Sequence, residues 1–154
     1  MNQSALESNW HWVKVTPENL HEIVELDRRC FEFSWSQADF EGSLAAGHTF
    51  MALARGTQVV GYAVYMLIFD QAELLTIGVD PDARRLGIGR LLMQEMFSQL
   101  SAAGAAELFL EVRQSNVAAQ GLYTSMGFEE ISRRKGYYPC QEGREDALVM
   151  KKVF

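Results

Sequence analysis

The most informative stretch of this 154-residue chain is Arg84-Arg85-Leu86-Gly87-Ile88-Gly89-Arg90. It follows a strand predicted over 73–79 and opens a helix predicted over 87–103, whose apolar residues recur at helical spacing. Glycines let the backbone approach a ligand closely, and the N–H groups and dipole at a helix start attract an anion. Because Arg84, Arg85 and Arg90 add positive charge, the stretch predicts a site for a pyrophosphate.

Taken alone, the two glycines fit an ordinary strand-to-helix turn better than a phosphate site. The stretch is not a P-loop, since no Gly-Lys-Ser/Thr follows it. It is also a poor dinucleotide fingerprint, because the third glycine would fall at Leu92. The flanking arginines and the amphipathic helix behind the loop favour phosphate binding over a plain turn.

Composition predicts a folded, soluble domain. Hydrophobic residues make up 48% and charged residues 22% of the chain, which excludes a disordered or low-complexity protein. No apolar run approaches the roughly 20 residues that cross a bilayer, so we expect no membrane association. The first ten residues lack the regions of a signal peptide, and Cys30 and Cys140 lack a CxxC spacing. These features predict a cytoplasmic protein with reduced thiols.

Charge is divided unevenly along the chain, whose net charge is −6. Residues 1–83 carry 4 Lys/Arg against 12 Asp/Glu, whereas residues 84–154 carry 10 against 8. The acidic total argues against a direct nucleic-acid partner, which a basic face would attract. Solubility alone would explain the net charge, and the split is also consistent with an anionic cofactor and a cationic substrate.

The remaining elements are predicted from periodicity and caps. Strands are expected over 11–15, 49–54, 59–69, 107–112, 128–137 and 147–153. Three further helices are expected. One runs from Thr16 as N-cap and Pro17 as first residue to Cys30, one from the capping arrangement of Ser36 and Asp39 to Ala46, and one from Asn116 to Met126. Gly104 and Gly127 are expected to end the helices that precede them. Arg55-Gly56-Thr57-Gln58 is expected to be a hairpin turn. The order β-α-α-β-β-β-α-β-α-β-β is that of a mixed α/β domain.

These segments resemble the GNAT superfamily of acetyl-CoA-dependent N-acetyltransferases. Arg84-x-x-Gly87-x-Gly89 matches its Q/R-x-x-G-x-G/A motif, and Leu75–Pro81 resembles the strand that presents the thioester. Leu110–Asn116 and Gly121–Phe128 match the second half of its cofactor site.

Within the superfamily the similarity is to the ribosomal-protein alanine N-acetyltransferases. It rests on three segments, Glu111–Arg113, Arg133–Pro139 and Gly143–Met150. The resemblance covers 13–150, so residues 1–10 form an extra N-terminal segment of a single 1–154 domain. It implies the acyl-CoA N-acyltransferase fold, a central mixed and largely antiparallel sheet flanked by helices.

The resemblance also implies a cofactor site for acetyl-CoA. The phosphates would lie on the loop described above, that is on Arg84, Arg85, Leu86, Gly87, Ile88, Gly89 and Arg90. Backbone groups of Ile77, Gly78 and Val79 would pair with the pantetheine arm like an added strand, with the Val79 N–H as oxyanion donor. Asn116 would bond the same arm, although a simple N-cap explains this residue equally well.

Two catalytic residues follow from the resemblance. Glu111 would accept the proton of the amine, whereas a lone glutamate on a strand is otherwise an ordinary solvated residue. Tyr123 would give a proton to the departing thiolate, and its ring can pack in the core at the same time. The transfer would be direct, because neither cysteine lies in a motif expected of a nucleophile.

The substrate would be the N-terminal segment of a small-subunit ribosomal protein of the S18 type, acetylated on the α-amino group of an alanine. Tyr137 and Tyr138, placed in the last loop, would wall the peptide slot, and Glu73 would face a basic peptide. Strand-end aromatics and an ordinary surface acid are the alternatives. The histidines lack ligand spacing, so we expect no metal. We expect a monomer.

Two other functions remain open from the sequence. The acidic first half would suit a GNAT enzyme of a small cationic amine, such as a polyamine or an antibiotic. A non-catalytic module that binds acetyl-CoA would need only the glycine loop. The presence of both Glu111 and Tyr123 disfavours the second alternative.

Overall fold

The structure is a computed structural model that describes residues 9–154; the expectations for residues 1–8 fall outside this range. Within it, seven strands and four α-helices follow one another along the chain. They are β1 (Trp10–Val13), α1 (Leu20–Cys30), α2 (Gln37–Ala45), β2 (Thr49–Arg55), β3 (Gln58–Ile68), β4 (Gln71–Val79), α3 (Ile88–Ala102), β5 (Glu107–Arg113), α4 (Val117–Ser125), β6 (Glu129–Cys140) and β7 (Gly143–Val153). The predicted order of elements is confirmed.

The sheet is mixed and largely antiparallel, as expected. Its strand order among the described residues is β1-β2-β3-β4-β5-β7-β6. The pairs β1/β2, β2/β3, β5/β7 and β6/β7 are antiparallel, and β4/β5 is parallel. The parallel ladder comprises three residue pairs, Gln71–Glu73 with Glu107–Phe109. β4 continues beyond this ladder to Val79, so its later backbone groups on that side take no part in it.

The chain divides into two compact units, and the expectation of a single domain stays a prediction. The first unit comprises residues up to Met66 together with Leu75–Gln99, and the second comprises Leu67–Leu74 with Leu100–Phe154. In the first unit, apolar residues of α1 pack with residues of α2, β2 and β3. Its fully buried members include Ile23, Val24, Phe40 and Tyr62.

The predicted cap of α2 is present. The Ser36 hydroxyl accepts from the Asp39 amide at 3.0 Å, and the Asp39 carboxylate accepts from the Ser36 amide at 3.0 Å. Such a reciprocal capping box satisfies two amides that the helix start leaves without acceptors.

The second unit is built around β5, whose side chains alternate between core and surface. Leu108, Leu110 and Val112 are buried, and the intervening residues are half-buried. Alternation of this kind presents one row of side chains to the core and the other to the opposite, less buried face of the sheet. This row includes Glu111.

The predicted start of α1 is wrong. Thr16 does not cap a helix, because its amide donates to the Asn19 side-chain oxygen at 2.8 Å and its carbonyl accepts from the Asn19 amide at 3.2 Å. These bonds close a turn over Pro17. The helix begins only at Leu20, the first residue there that is buried.

The last two strands are longer than predicted, and Tyr137 and Tyr138 do not lie in a loop. Both belong to β6, which pairs with β7 on either side of a bulge. Three residues, 135–137, face Asp146 alone, since Arg134 pairs with Ala147 and Tyr138 with Glu145. Side chains of β7 hold the bulged backbone and so keep it within the ladder, as described below.

Candidate active site

The glycine loop adopts a backbone suited to an anion. Gly87 has a φ of 79°, and Arg85 has a φ of 69°, which a residue with a side chain rarely adopts. The first helical bond of α3 runs from the Leu91 amide to the Gly87 carbonyl at 3.0 Å. Because the first amides of a helix have no intrahelical acceptor, the α3 start presents donors at the positive end of its dipole.

The side chains of the loop are of two kinds, a buried one that packs in the core and exposed arginines. Ile88 is 1% exposed, whereas Arg84, Arg85 and Arg90 are exposed. A Cβ at Gly61 of β3 would lie 2.7 Å from Ile88, so Gly61 lets the start of α3 approach the sheet. The arrangement fits a polyphosphate held by backbone amides and flanked by guanidinium groups. Gly61 was not singled out from the sequence, although a glycine among β-branched strand residues indicates close approach.

The end of β4 lies over a buried tyrosine. A Cβ at Gly78 would lie 2.6–2.8 Å from the ring and hydroxyl of Tyr62, so only glycine fits there. The Tyr62 hydroxyl donates to Asp27, which is 1% exposed. Burial raises the pKa of both groups. Asp27 and Tyr62 were not singled out from the sequence, since they are 35 residues apart and no motif joins them.

Glu111 of β5 is the centre of the polar cluster in the second unit. Its side chain is 18% exposed and lies 3.3 Å from the Nε of Arg134. The hydroxyl of Tyr137 donates to its carboxylate, and this bond is the main cause that raises the pKa of Tyr137. Glu111 is therefore a carboxylate with one cation and one hydroxyl beside it.

Tyr137 and Tyr138 form an aromatic pair, with ring centroids 5.0 Å apart at 79°. The Arg134 guanidinium lies 5.2 Å from the Tyr137 ring, and that of Arg113 lies 4.5 Å from the Tyr138 ring. Burial raises the pKa of Tyr138 to about 12. Arginines stacked on both rings hold them in fixed orientations.

The bulge that carries Tyr137 is held by β7. Arg144 donates to the carbonyls of Gly136 at 2.5 Å and Tyr137 at 2.7 Å. The Asp146 carboxylate accepts from the Gly136 amide at 3.0 Å, and Gly136 has a φ of 58°. The acidic and basic side chains near the chain end therefore shape the tyrosine pair.

Glu73 shares the sheet face of Glu111. It lies opposite Phe109 in the parallel ladder, and Phe109 is two residues from Glu111 on β5. Its negative charge contributes to the raised pKa of Tyr137, after the larger effects of Glu111 and burial. Two carboxylates and a tyrosine thus face the same region, which favours a cationic ligand.

Tyr123 of α4 is 6% exposed and packs on Phe128, with ring centroids 5.7 Å apart. Burial raises its pKa to about 12, so the hydroxyl keeps its proton at neutral pH. Tyr123 also contributes, after burial and Glu111, to the raised pKa of Tyr138. The predicted core packing is present, and the proton-donor role stays a prediction.

Asn116 caps α4, as predicted, because its side-chain oxygen accepts from the Ala119 amide at 3.2 Å. Its role toward a cofactor stays a prediction. In residues 9–154 no group of three or more His, Cys, Asp or Glu side chains is placed to hold a metal ion. None of the helices described has the length and apolar character needed to span a membrane.

The site residues expected from the sequence are thus gathered in two places. The first unit carries the β4 end, 77–79, and the loop, 84–90. The second unit carries the remaining six: Glu73, Glu111, Asn116, Tyr123, Tyr137 and Tyr138. Contacts or charge effects link all of these six except Asn116.

Comparison with known proteins gives a family and near full-length relatives. Residues 20–128 match the model of the acetyltransferase (GNAT) family. The chain is 38% identical to "[Ribosomal protein bS18]-alanine N-acetyltransferase" of Escherichia coli K12, over 86% of this chain and 89% of that one. It is 31% identical to the protein of the same name from Haemophilus ducreyi, over 88% and 94%.

Solved structures give the same result. The crystal structure of the ribosomal-protein-S18-alanine N-acetyltransferase from Escherichia coli matches with a TM-score of 0.89 at 34% identity, over 94% of this chain and 93% of that one. Chaetomium thermophilum Naa20 in complex with a bisubstrate analogue matches with a TM-score of 0.80 at 26% identity, over 94% and 86%.

Proposed function

This chain belongs to the GNAT family of acetyltransferases, and on that premise we propose that it acetylates the α-amino group of an N-terminal alanine in a ribosomal protein of the S18 type. The family and the acyltransferase class expected from the sequence are confirmed. The observation that carries the finer proposal is the grouping of Glu111, Glu73 and Tyr137 on one sheet face, in a chain 38% identical to the Escherichia coli enzyme.

Acetyl-CoA would supply the acetyl group as a thioester. The loop 84–90 would hold its phosphates through the amides at the start of α3 and the three exposed arginines. Backbone groups of Ile77, Gly78 and Val79 would pair with its pantetheine arm, on the side of β4 that the three-pair ladder leaves unused. Asn116 would bond the same arm while capping α4.

Glu111 would act as the base. An α-amino group has a pKa of about 7.7–8.0, whereas the lysine side chain has a pKa of about 10.4. Because of this difference, the neutral fraction of an α-amine at neutral pH is roughly several hundred times that of a lysine. A carboxylate, directly or through water, suffices to take its proton as the carbon–nitrogen bond forms. The Arg134 guanidinium lies 3.3 Å from this carboxylate and helps to orient it.

Val79 and Tyr123 would complete the transfer. The Val79 N–H would donate to the carbonyl oxygen of the acetyl group as negative charge develops on it. Tyr123 would give its proton to the thiolate as the carbon–sulfur bond breaks, and burial keeps that proton in place until then. The products are a neutral amide and a neutral thiol, and exchange with solvent removes the proton from Glu111 and returns one to Tyr123.

A covalent enzyme intermediate is not part of the proposal. Burial raises the pKa of the Cys30 thiol to about 11, which keeps it protonated and poorly nucleophilic. The two negative side chains Glu73 and Glu111 favour a cationic acceptor, and the tyrosine pair favours a peptide over a small amine. We place the reaction in the cytoplasm, carried out by a monomer without a metal or a nucleic-acid partner.

A panel of acceptors tests the proposal. The chain is assayed with acetyl-CoA and a peptide that begins with the alanine of the ribosomal protein, beside polyamines and aminoglycosides at the same concentration. We expect kcat/KM for the peptide to exceed that for every small amine. A small amine that outperforms the peptide would reassign the substrate, and acetyl-CoA binding without turnover on any amine would indicate a non-catalytic module.

A further inference from the structure

The last turn of α1 contacts three consecutive residues at the end of β4. We call Asp27, Arg29 and Cys30 the α1 clamp. Asp27 reaches Gly78 through Tyr62, Cys30 contacts Val79, and Arg29 contacts Asp80. All of these residues lie in the first unit. Three separate side chains from four residues of helix therefore converge on a single short backbone segment.

Asp27 acts on Gly78 through the tyrosine beneath it. The Asp27 carboxylate accepts from the Tyr62 hydroxyl and, at 2.9 Å, from the amide of Trp35. The Tyr62 ring fills the space where a Cβ of residue 78 would lie. Because Asp27 and Tyr62 are both buried and bonded, the floor under Gly78 cannot move without breaking a buried bond.

Cys30 contacts the next peptide group. Its thiol donates to the Val79 carbonyl at 3.2 Å, and the amide of the same peptide, that of Asp80, donates to the Val60 carbonyl at 2.8 Å. The peptide between Val79 and Asp80 is thus held at its oxygen by α1 and at its nitrogen by β3. Because this peptide group is held at both its oxygen and its nitrogen, the backbone dihedral angle ψ of Val79 is restricted.

Arg29 anchors the residue that follows. Its guanidinium donates to both Asp80 oxygens, at 3.0 and 2.7 Å, although Asp80 is only 1% exposed. Asp80 in turn accepts from the Asp82 amide at 2.9 Å and from Gln58 at 3.1 Å. A bidentate arginine–carboxylate pair has a defined geometry as well as charge, so it orients the turn that leads into the glycine loop.

We propose that Arg29 and Cys30 are positioning residues that aim the Val79 N–H at the reacting carbonyl. The inference rests on the proposed function, in which that N–H is the oxyanion donor. Such a donor must be held within about 0.5 Å of its productive place, and surrounding residues supply that precision. In this proposal no residue of α1 touches the reacting groups; α1 acts only through the position of Val79.

Four variants test this proposal: Cys30→Ala, which removes the thiol donor, Cys30→Ser, which restores a donor, Arg29→Gln, and Arg28→Gln as the control for charge on the adjacent exposed residue. Each is measured for kcat and KM per folded molecule, for acetyl-CoA Kd, and for the Val79 amide by hydrogen exchange. We expect kcat to fall about tenfold in Cys30→Ala and Arg29→Gln, with KM and Kd within about twofold.

Serine should recover most of the kcat, Arg28→Gln should match the parent, and Val79 exchange should quicken only in the two impaired variants. Unchanged kcat with a lower melting temperature would show a merely structural clamp and overturn the proposal. If the parent chain turns over no amine at all, the proposed function fails, and hydrogen exchange still decides the clamp: an unaltered Val79 amide overturns it.

Discussion

The Nε of Arg134 lies 3.3 Å from a carboxylate oxygen of Glu111, although β7 separates their strands. The bulge of β6 that follows Arg134 brings Tyr137 to the same carboxylate. Glu111 is thus reached from one strand by a cation and a hydroxyl. An incoming amine would meet a carboxylate that its neighbours already hold in position.

Replacing Glu111 by Gln tests the base. The amide keeps the size of the side chain and can still accept from Tyr137, so we expect the fold to be retained. Turnover of the alanine peptide should fall by about 10²–10⁴, the range for loss of a general base, while acetyl-CoA Kd changes less than about twofold. Steady-state kinetics and calorimetry measure the two quantities.

Glu107→Gln is the matched control for Glu111. Glu107 lies on the same strand and face, and its carboxylate is 3.3 Å from the Nζ of Lys151. Its loss removes an ion pair of the same kind without touching the tyrosine pair. Equal turnover in both variants would remove the base assignment.

Replacing Tyr123 by Phe tests the acid. The ring should continue to pack on Phe128, so unfolding in urea should change little. Without the phenolic proton, we expect kcat to fall by about 10–10³, with acetyl-CoA affinity preserved. A variant as active as the parent would leave Tyr123 as a core residue only.

Stability in alkali follows from the raised pKa of Tyr123. The folded chain holds its proton up to about pH 12, whereas the unfolded chain releases it near the ordinary value of about 10. The stabilisation is therefore complete below about pH 10 and is lost as the pH rises to 12. The free energy of unfolding should fall by about 1–3 kcal/mol more in the parent than in Tyr123→Phe over this interval. Identical urea curves for the two proteins at each pH would contradict this.

Gly87→Ala tests the phosphate loop, with Gly104→Ala as its control. Both glycines have positive φ, 79° and 85°, and a Cβ at either meets no atom within 4 Å. Each alanine should therefore cost about 1 kcal/mol of stability from backbone strain alone. We expect acetyl-CoA Kd to rise about tenfold or more only in Gly87→Ala, because only there would the Cβ face the ligand. Equal Kd values in both variants would show that the phosphates of acetyl-CoA do not bind at this loop.

Local signals made much of the fold predictable. The Ser36–Asp39 box, the Asn116 cap and the glycines at the ends of α3 and α4 act within a few residues, so the sequence displays them directly. The start of α1 was wrong because Asn19, and not Thr16, supplies the side chain that organises the turn. A capping pattern in the sequence does not show whether a polar side chain caps a helix or closes a turn before it.

Long-range packing was beyond the sequence. Asp27 and Tyr62 meet because β3 passes under Gly78. No spacing in the sequence predicts this contact. The bulge of β6 depends on Arg144 and Asp146 of the next strand, so Tyr137 looked like a loop residue. The residue types of the site were predicted, whereas their partners required the structure.

One mass-spectrometric measurement decides whether this chain acetylates an α-amine. A peptide with the alanine N-terminus of the ribosomal protein and one internal lysine is incubated with acetyl-CoA and the enzyme, beside the same peptide with a blocked N-terminus. We expect a single acetyl group on the terminal alanine of the free peptide and none on the blocked one. Acetylation of the lysine alone, in either peptide, would contradict it.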